Sequence, residues 1–125
     1  MTALRVLVAD DNRDAADSLA ALLELWGHEV SVAYDGVDAL RAAGENSPTI
    51  VFLDMQMPKL NGGQVARRLR QYRGGRALHI IALTALEPSD LRLREYEDAF
   101  DAYLRKPYDA RDLASIVGRA AEQSE

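Results

Sequence analysis

The stretch that decides the fold runs from Ile50 to Pro58 and reads IVFLDMQMP. Its first four residues are apolar, and a run of this kind is typical of a strand buried on both faces, as in parallel sheets. The run leads directly into one carboxylate, Asp54, which is a local conflict between burial and charge. Because such conflicts are expected at functional sites, the stretch predicts that Asp54 is a nucleophile at the carboxyl edge of a parallel sheet.

The composition is that of a globular protein, with 125 residues, of which 48% are hydrophobic and 28% charged. This length suits one domain, which we expect to cover residues 1–125. The net charge of −5 argues against direct nucleic-acid binding, since phosphate contacts need clustered Lys and Arg. The chain has no cysteine, which excludes disulfides and cysteine-based metal sites. No apolar run has the length of a signal peptide or a membrane span, so we expect a soluble, cytoplasmic protein.

Strand and helix patterns alternate along the chain. Short apolar runs predict strands over Leu4–Ala9, Glu29–Ala33, Thr49–Leu53, Ala77–Leu83 and Ala102–Leu104. Helical spacing and capping residues predict helices from Asn12 or Asp14 to about Trp26, from Asp35 to near Gly44, from Gln64 to Tyr72, after Pro88 through Glu97, and after Asp109. Residues 61–63 are predicted to form a turn before the third helix. The alternation predicts an α/β protein with a doubly wound, five-stranded parallel sheet and five helices on its two faces.

In such sheets, sites form outside the carboxyl ends of the strands. This rule brings together the residues that follow four of the predicted strands, which are Asp10, Asp11, Asp54, Thr84 and Lys106. At ~4 Å and an effective dielectric constant of ~20, each pair of carboxylates repels by about 4 kcal/mol. Protonation, Lys106 or a divalent cation could relieve this repulsion, and a set of oxygen ligands with open positions suits Mg²⁺. Together with the Lys106 ammonium and the Thr84 hydroxyl, such a site could form an acyl phosphate on Asp54.

Four phrases extend this pattern, namely VLVADDNRDAADSL, VFLDMQMPKLNGG, ALTA and FDAYLRKPYD. In this order, they resemble the receiver domain of two-component response regulators, such as the chemotaxis regulators, over essentially the whole chain. The resemblance implies a flavodoxin-like fold with strand order 2-1-3-4-5. It also implies a phosphorylation-dependent switch of a phosphorelay, rather than an enzyme that turns over a substrate. The implied partners are a histidine kinase or phosphotransfer protein, which supplies the phosphoryl group, and a downstream protein.

The resemblance assigns roles to residues of the predicted edge. Asp54 would be the phosphoacceptor. Asp10, Asp11, Asp54 and the main-chain carbonyl of Gln56 would bind Mg²⁺, for which Mn²⁺ could substitute. Lys106 would bind the phosphoryl group and would be joined to Pro107 by a cis peptide bond.

The resemblance also implies a conformational switch. Thr84 would move toward the phosphoryl group and Tyr103 would swing inward behind it, which would remodel the surface of the fourth helix, fifth strand and fifth helix. Three features depart from the family pattern. Ala99 stands where a glycine is usual, which predicts strain or a different ending of the fourth helix. Leu86, two residues after Thr84, cannot orient a hydrolytic water, so we expect slow autodephosphorylation. Gly62-Gly63 is a doubled glycine, which predicts a looser turn before the third helix.

Other functions compete with this one. An aspartyl phosphatase would need a second acid two residues after the nucleophile, where Gln56 stands. A flavin carrier would need a phosphate-binding loop after the first strand, where Asp10 and Asp11 would repel phosphate. A receiver that serves only as a binding module is disfavoured because all the chemical positions are filled. The sequence leaves open a free-standing regulator or the receiver portion of a hybrid histidine kinase that passes phosphate onward, and a monomer or a phosphorylation-dependent dimer.

Two further groups of residues receive structural interpretations. The basic patch of Arg67, Arg68, Arg70, Arg73 and Arg76 is interpreted as a solvated helix face. The two histidines, at positions 28 and 79, are predicted at the starts of strands, at the edge opposite the acids, and are not expected to be ligands.

Overall fold

A parallel sheet forms the centre of the molecule, whose structure is a computed structural model that describes residues 3–72 and 78–124. Its strands lie in the order β2-β1-β3-β4-β5, which confirms the predicted topology. They are β1 (Arg5–Ala9), β2 (Glu29–Ala33), β3 (Ile50–Asp54), β4 (His79–Thr84) and β5 (Ala102–Arg105). The predicted start of the fourth strand at Ala77 lies outside the described residues.

Helices cover both faces of this sheet. They are α1 (Arg13–Leu25), α2 (Gly36–Asn46), α3 (Gly62–Tyr72), α4 (Leu91–Arg94) and α5 (Ala110–Ser124). Side-chain oxygens cap the first two helices, as predicted: Asn12 accepts from the main-chain N–H of Ala15, and Asp35 from that of Asp38. None of the helices in the described part of the chain is long and apolar enough to cross a membrane.

The central strand β3 divides the core into two layers. Val51 and Leu53 belong to the cluster packed under α2, α3 and α4, whereas Ile50 and Phe52 belong to the cluster under α1 and α5. All four side chains are 0% exposed, and full burial of an apolar side chain of this size stabilises the fold by about 1.5–3 kcal/mol. The fixed position of β3 therefore holds Asp54, its last residue, at the carboxyl edge of the sheet.

Gly62 and Gly63 are the first two residues of α3, not part of a turn before it, so the expected loose turn is wrong. Gly62 donates its N–H to the carbonyl of Met55, and a Cβ atom on Gly62 would overlap the main-chain carbonyl of Asp54. A Cβ atom on Gly63 would overlap the ring of Tyr96. The doubled glycine therefore allows α3 to pack closely against two neighbouring segments.

The fourth helix is shorter than the sequence predicts and ends at Arg94. Turns continue the chain beyond it, with the N–H of Ala99 donating to the carbonyl of Tyr96. Among the described non-glycine residues, only Ser47 and Lys59 have positive φ. Ala99 therefore does not adopt the left-handed conformation that a glycine would favour, so the strain expected of such a cap is absent.

The basic patch is not a simple solvated face. Arg67 lies 4.6 Å over the ring of Tyr96 and donates to the carbonyl of Glu95 at 2.8 Å. Arg70 extends from α3 to the segment that leads into β5, where its guanidinium meets the carboxylate of Asp101 at 2.7 Å. Arg68 is exposed, as predicted, and Arg73 and Arg76 lie outside the described residues.

Candidate functional site

The carboxyl ends of the strands bring the predicted residues to one cleft. Asp10 follows β1, Asp54 ends β3, Thr84 ends β4 and Lys106 follows β5. The parallel register aligns these ends, because Ala9 pairs with Leu53, Asp54 with Leu83, and Thr84 with Arg105. The cleft has a volume of about 300 Å³ and is lined by Asp11, Asp54, Gln56, Thr84, Ala85, Leu86 and Lys106.

Three carboxylates form the acidic side of the site. One oxygen each from Asp10, Asp11 and Asp54 can be chosen so that all lie within 4.8 Å of one another. Asp10 and Asp54 are buried, at 2% and 8% exposure, whereas Asp11 is exposed at the mouth. A hard divalent cation prefers such oxygen ligands and keeps open positions for water, so the donor set fits a cation of this class.

Main-chain N–H groups fix the orientation of two of these acids. The N–H of Asn12 donates to Asp10 Oδ1 at 3.0 Å, and the N–H of Gln56 donates to Asp54 Oδ1 at 3.2 Å. Each donor lies two residues after the acid, which is the local pattern that Asp favours in turns. This supporting role of Asn12 was not predicted, although the spacing from Asp10 is visible in the sequence.

Lys106 supplies the positive charge of the site. Its Nζ atom lies 3.0 Å from Asp10 Oδ2 and 3.7 Å from Asp54 Oδ2. Burial alone would lower the pKa of Lys106, but the hydrogen bond to Asp10 and the charges of Asp54 and Asp10 outweigh burial and raise it. The Lys106–Pro107 peptide bond is cis, as the family resemblance implies.

The surroundings of Asp54 disfavour the ionised form of its carboxyl group. Burial is the main cause that raises its pKa, and the neighbouring Asp10 raises it further, to about 7. The Gln56 N–H and the Lys106 ammonium act in the opposite direction. A cation among these oxygens would favour the carboxylate form of Asp54, because metal ligands of this kind bind deprotonated.

Thr84, a residue that is 3% exposed, contributes a hydroxyl group. Its Oγ1 atom accepts the N–H of Leu86 at 2.9 Å, which leaves the hydroxyl proton available to donate. Leu86 is partly buried against the core, so its side chain presents only apolar atoms to the cleft. Thr84 and Leu86 thus define the wall of the cleft on the β4 side.

The loop that begins at Gln56, a residue lining the cleft, contacts the start of α2. Lys59 Nζ lies 3.4 Å from Asp35 Oδ2, and the N–H of Gly36 donates to the carbonyl of Pro58 at 3.4 Å. These contacts fix the loop that begins at Gln56, the residue whose main-chain carbonyl is predicted to bind the metal.

The predicted switch residue, Tyr103, lies outside the cleft and does not join the acidic cluster. The residue is 42% exposed, and its ring centroid is 5.8 Å from that of Phe100. His28 and His79 are also apart from the acids, as predicted: the Nδ1 atom of His28 accepts the N–H of Leu4 at the opposite edge, and His79 begins β4.

Comparison with known proteins agrees with this geometry. The sequence profile of the family described as the response regulator receiver domain matches residues 6–118. The response regulator MprA of Mycobacterium sp. (strain KMS) is 39% identical over 110 residues, which are 88% of this chain and 47% of that protein. The transcriptional regulatory protein PrrA of Mycobacterium tuberculosis is 40% identical over 119 residues, which are 95% of this chain and 49% of that protein. The chain thus spans about half the length of these curated relatives.

Solved structures give the same result. The receiver domain of the Francisella response regulator 1452 superimposes with a TM-score of 0.87 at 28% identity, over 98% of this chain and 99% of that one. The BeF3-activated DrrB receiver domain superimposes with a TM-score of 0.84 at 25% identity, over 97% and 99% of the two chains. From the family match, these relatives and the acidic cleft, the chain belongs to the response regulator receiver domain family of two-component signalling.

Proposed function

We propose that this receiver domain is a switch in which Asp54 accepts a phosphoryl group from the phosphohistidine of a histidine kinase or phosphotransfer protein. The observation on which the proposal rests is the position of Asp54, with its carboxylate in one cluster with Asp10 and Asp11 and 3.7 Å from Lys106 Nζ. This set of groups places a nucleophile beside a positive charge in the cleft at the carboxyl edge.

In the transfer, an Oδ atom of Asp54 attacks the phosphorus. The new O–P bond forms as the P–N bond to the donor imidazole breaks, and the imidazole leaves with the bonding electron pair and gains a proton from solvent. The Lys106 ammonium pairs with the oxygens of the transferred group, and the Thr84 hydroxyl donates to one of them. When bound, Mg²⁺, or Mn²⁺ in its place, supplies further charge neutralisation, held by Asp10, Asp11, Asp54 and the main-chain carbonyl of Gln56.

The output of the proposed switch is a change of surface. Thr84 moves toward the phosphoryl group and Tyr103 moves inward from its present exposed position, which remodels the face formed by α4, β5 and α5. A downstream protein reads that face. The domain catalyses only its own phosphorylation and dephosphorylation, and it acts through protein contacts rather than through direct contact with nucleic acid.

The lifetime of the phosphorylated state depends on the cleft wall. Leu86 is partly buried and apolar, and Gln56 is exposed at the mouth. Because Leu86 offers no hydrogen bond to orient an attacking water, we expect slow autodephosphorylation. Decay of the purified phosphorylated protein as fast as that of rapid chemotaxis regulators, followed on phosphate-affinity gels, would contradict this expectation.

Labelling with acetyl phosphate tests the proposal. In the presence of Mg²⁺ the parent protein gains one phosphoryl group, and chelation of the metal abolishes the reaction. Asp54→Asn does not react, whereas Asp14→Asn, which removes an acid from the first turn of α1 outside the cluster, reacts as the parent does. Equal labelling of Asp54→Asn and the parent would refute the assignment.

The same labelled protein tests the second candidate, a receiver that passes its phosphate onward within a hybrid-kinase relay. Loss of label from Asp54 to an added histidine phosphotransfer protein, at a rate faster than hydrolysis, would support that role.

A further inference from the structure

An ion pair joins the connection between β4 and α4 to the neighbouring strand β5. Arg105 Nη2 lies 2.5 Å from Glu87 Oε1, and the two side chains are 53% and 67% exposed. Glu87 belongs to the segment between Thr84 and α4, and its carbonyl accepts the N–H of Asp90 just before that helix. The pair therefore spans the gap between the segment that follows Thr84 and the strand that carries Tyr103.

The register of the sheet places this pair beside both switch residues. Tyr103 lies opposite Ala82, and Arg105 lies opposite Thr84. Residues two apart on a strand point to the same face, so the side chains of Tyr103 and Arg105 share one face of β5. Ala82 packs in the core cluster under α3 and α4, which identifies that face as the one on which Tyr103 would move inward.

The connection after Thr84 is short and internally bonded. Only two residues separate Thr84 from Glu87. The hydroxyl of Thr84 accepts the N–H of Leu86 at 2.9 Å, and the carbonyl of Thr84 accepts the N–H of Lys106 at 2.7 Å. A displacement of the Thr84 side chain toward the phosphoryl group would therefore pull on Glu87 and stretch its ion pair with Arg105.

We propose that the Glu87–Arg105 ion pair is a latch that holds Thr84 and Tyr103 in their present positions and thereby slows the phosphorylation of Asp54. This inference rests on the proposed function, since it concerns the same phosphorylation and the same switch. Glu87 and Arg105 are positioning residues, because they act through Thr84 and touch no reacting atom.

The solvent exposure of the Glu87–Arg105 ion pair limits how much it can change the phosphorylation rate. Exposed ion pairs contribute little to a conformational equilibrium, so breaking this one increases the phosphorylation rate by about two- to five-fold. An effect of this size is measurable with acetyl phosphate. In that reaction the Asp54 O–P bond forms, the P–O bond to the acetyl group breaks, and acetate leaves.

The test compares Glu87→Gln, Arg105→Gln, and the swapped double variant Glu87→Arg with Arg105→Glu, all at saturating Mg²⁺. The two single variants change the charge near the cleft in opposite directions but break the same ion pair. The latch predicts that both single variants are faster than the parent and that the swapped variant returns to within two-fold of it. Arg92→Gln is the matched control. It breaks the nearby Arg92–Asp90 ion pair, which does not connect the loop to β5.

Opposite shifts of the two single variants would show that only the local charge matters, and unchanged rates would show that the pair restrains nothing; either result overturns the latch. A swapped variant as fast as the single variants would overturn it as well. Failure of the parent to label at all would instead refute the proposed function, so the two failures are distinguishable. Thermal unfolding of each variant identifies any rate change that comes from a loss of folded protein.

Discussion

Replacement of Arg70 by alanine should destabilise the fold, although Arg70 belongs to the basic patch that the sequence suggests is a solvated helix face. The guanidinium donates to the carbonyl of Leu78 at 2.7 Å, to the carbonyl of Ala99 at 3.0 Å and to Asp101 Oδ2 at 2.7 Å. Asp101 Oδ2 also accepts the N–H of Ile80 at 2.7 Å. One side chain on α3 thus joins the start of β4 to the segment that enters β5.

The size of the stability loss follows from the hydrogen bonds that Arg70→Ala would remove. Hydrogen bonds that involve a charged group contribute about 1.5–3 kcal/mol each, and their loss leaves carbonyl groups without that donor. The side chains of Arg70 and Asp101 retain 22% and 45% exposure, so water replaces part of the loss. We therefore expect Arg70→Ala to lower the free energy of unfolding by about 2–4 kcal/mol, a large share of the roughly 5–15 kcal/mol typical of a domain.

Urea unfolding monitored by circular dichroism measures this loss, with the slope against denaturant expected to stay constant. Arg70→Lys should lose an intermediate amount, because an ammonium can still pair with Asp101 but cannot reproduce the planar fork of donors. Arg68→Ala, an exposed neighbour on the same helix, is the matched control and should change stability by less than about 0.5 kcal/mol. If Arg70→Ala were as mild as Arg68→Ala, the inferred role of the α3 arginine would be wrong.

Three further predictions concern other parts of the fold. Gly63→Ala should destabilise by about 1–3 kcal/mol, because its Cβ atom would overlap the buried Tyr96 ring, whereas Gly44→Ala in open space within α2 should be neutral or stabilising; thermal unfolding separates the two. Burial lowers the pKa of His28 below 6.5, so its contribution to stability is present above pH 6.5 and is lost as the pH falls from there through the folded pKa. His28→Asn keeps an acceptor for the main-chain N–H of Leu4, and its free energy of unfolding, measured with urea at several pH values, should fall less steeply toward acid pH. Mg²⁺ at about ten times its dissociation constant should stabilise the parent by about 1.4 kcal/mol in thermal unfolding, and Asp11→Asn should lose most of this gain; an equal gain in both proteins would exclude Asp11 as a ligand.

The two lowest-exposure acids of the cleft explain why the site could be located from the sequence. Asp54 follows four apolar residues and Asp10 follows the run before α1, so each acid is placed by the strand before it. In a parallel sheet, every strand ends at the same edge, and this geometric rule brings the two acids together without knowledge of any side-chain contact. The observed cluster, with oxygens within 4.8 Å, follows from that rule.

The contacts of α3 could not be predicted in the same way. Periodicity identifies the face of a helix that is buried, but it does not identify which distant group an exposed cation will meet. Arg70 and Asp101 lie 31 residues apart. In the sequence, nothing distinguishes Arg70 from the other arginines of α3, which were also expected to face solvent. The close approach at Gly63 depends on the position of Tyr96, which lies just after α4. The sequence predicts that α4 continues through Glu97, whereas it ends at Arg94.

The sequence by itself determined the strand and helix alternation, the order of the chemical residues at the strand ends and, through the resemblance, the family. These features depend on local burial periodicity and on a rule that holds for all parallel sheets. Only the tertiary structure decided that α3 holds the segment before β5 and that Glu87 pairs with Arg105, 18 residues away. The physical reason is that the partner of a surface charge is set by strand order, register and loop path, and a one-dimensional pattern of burial contains none of these distances.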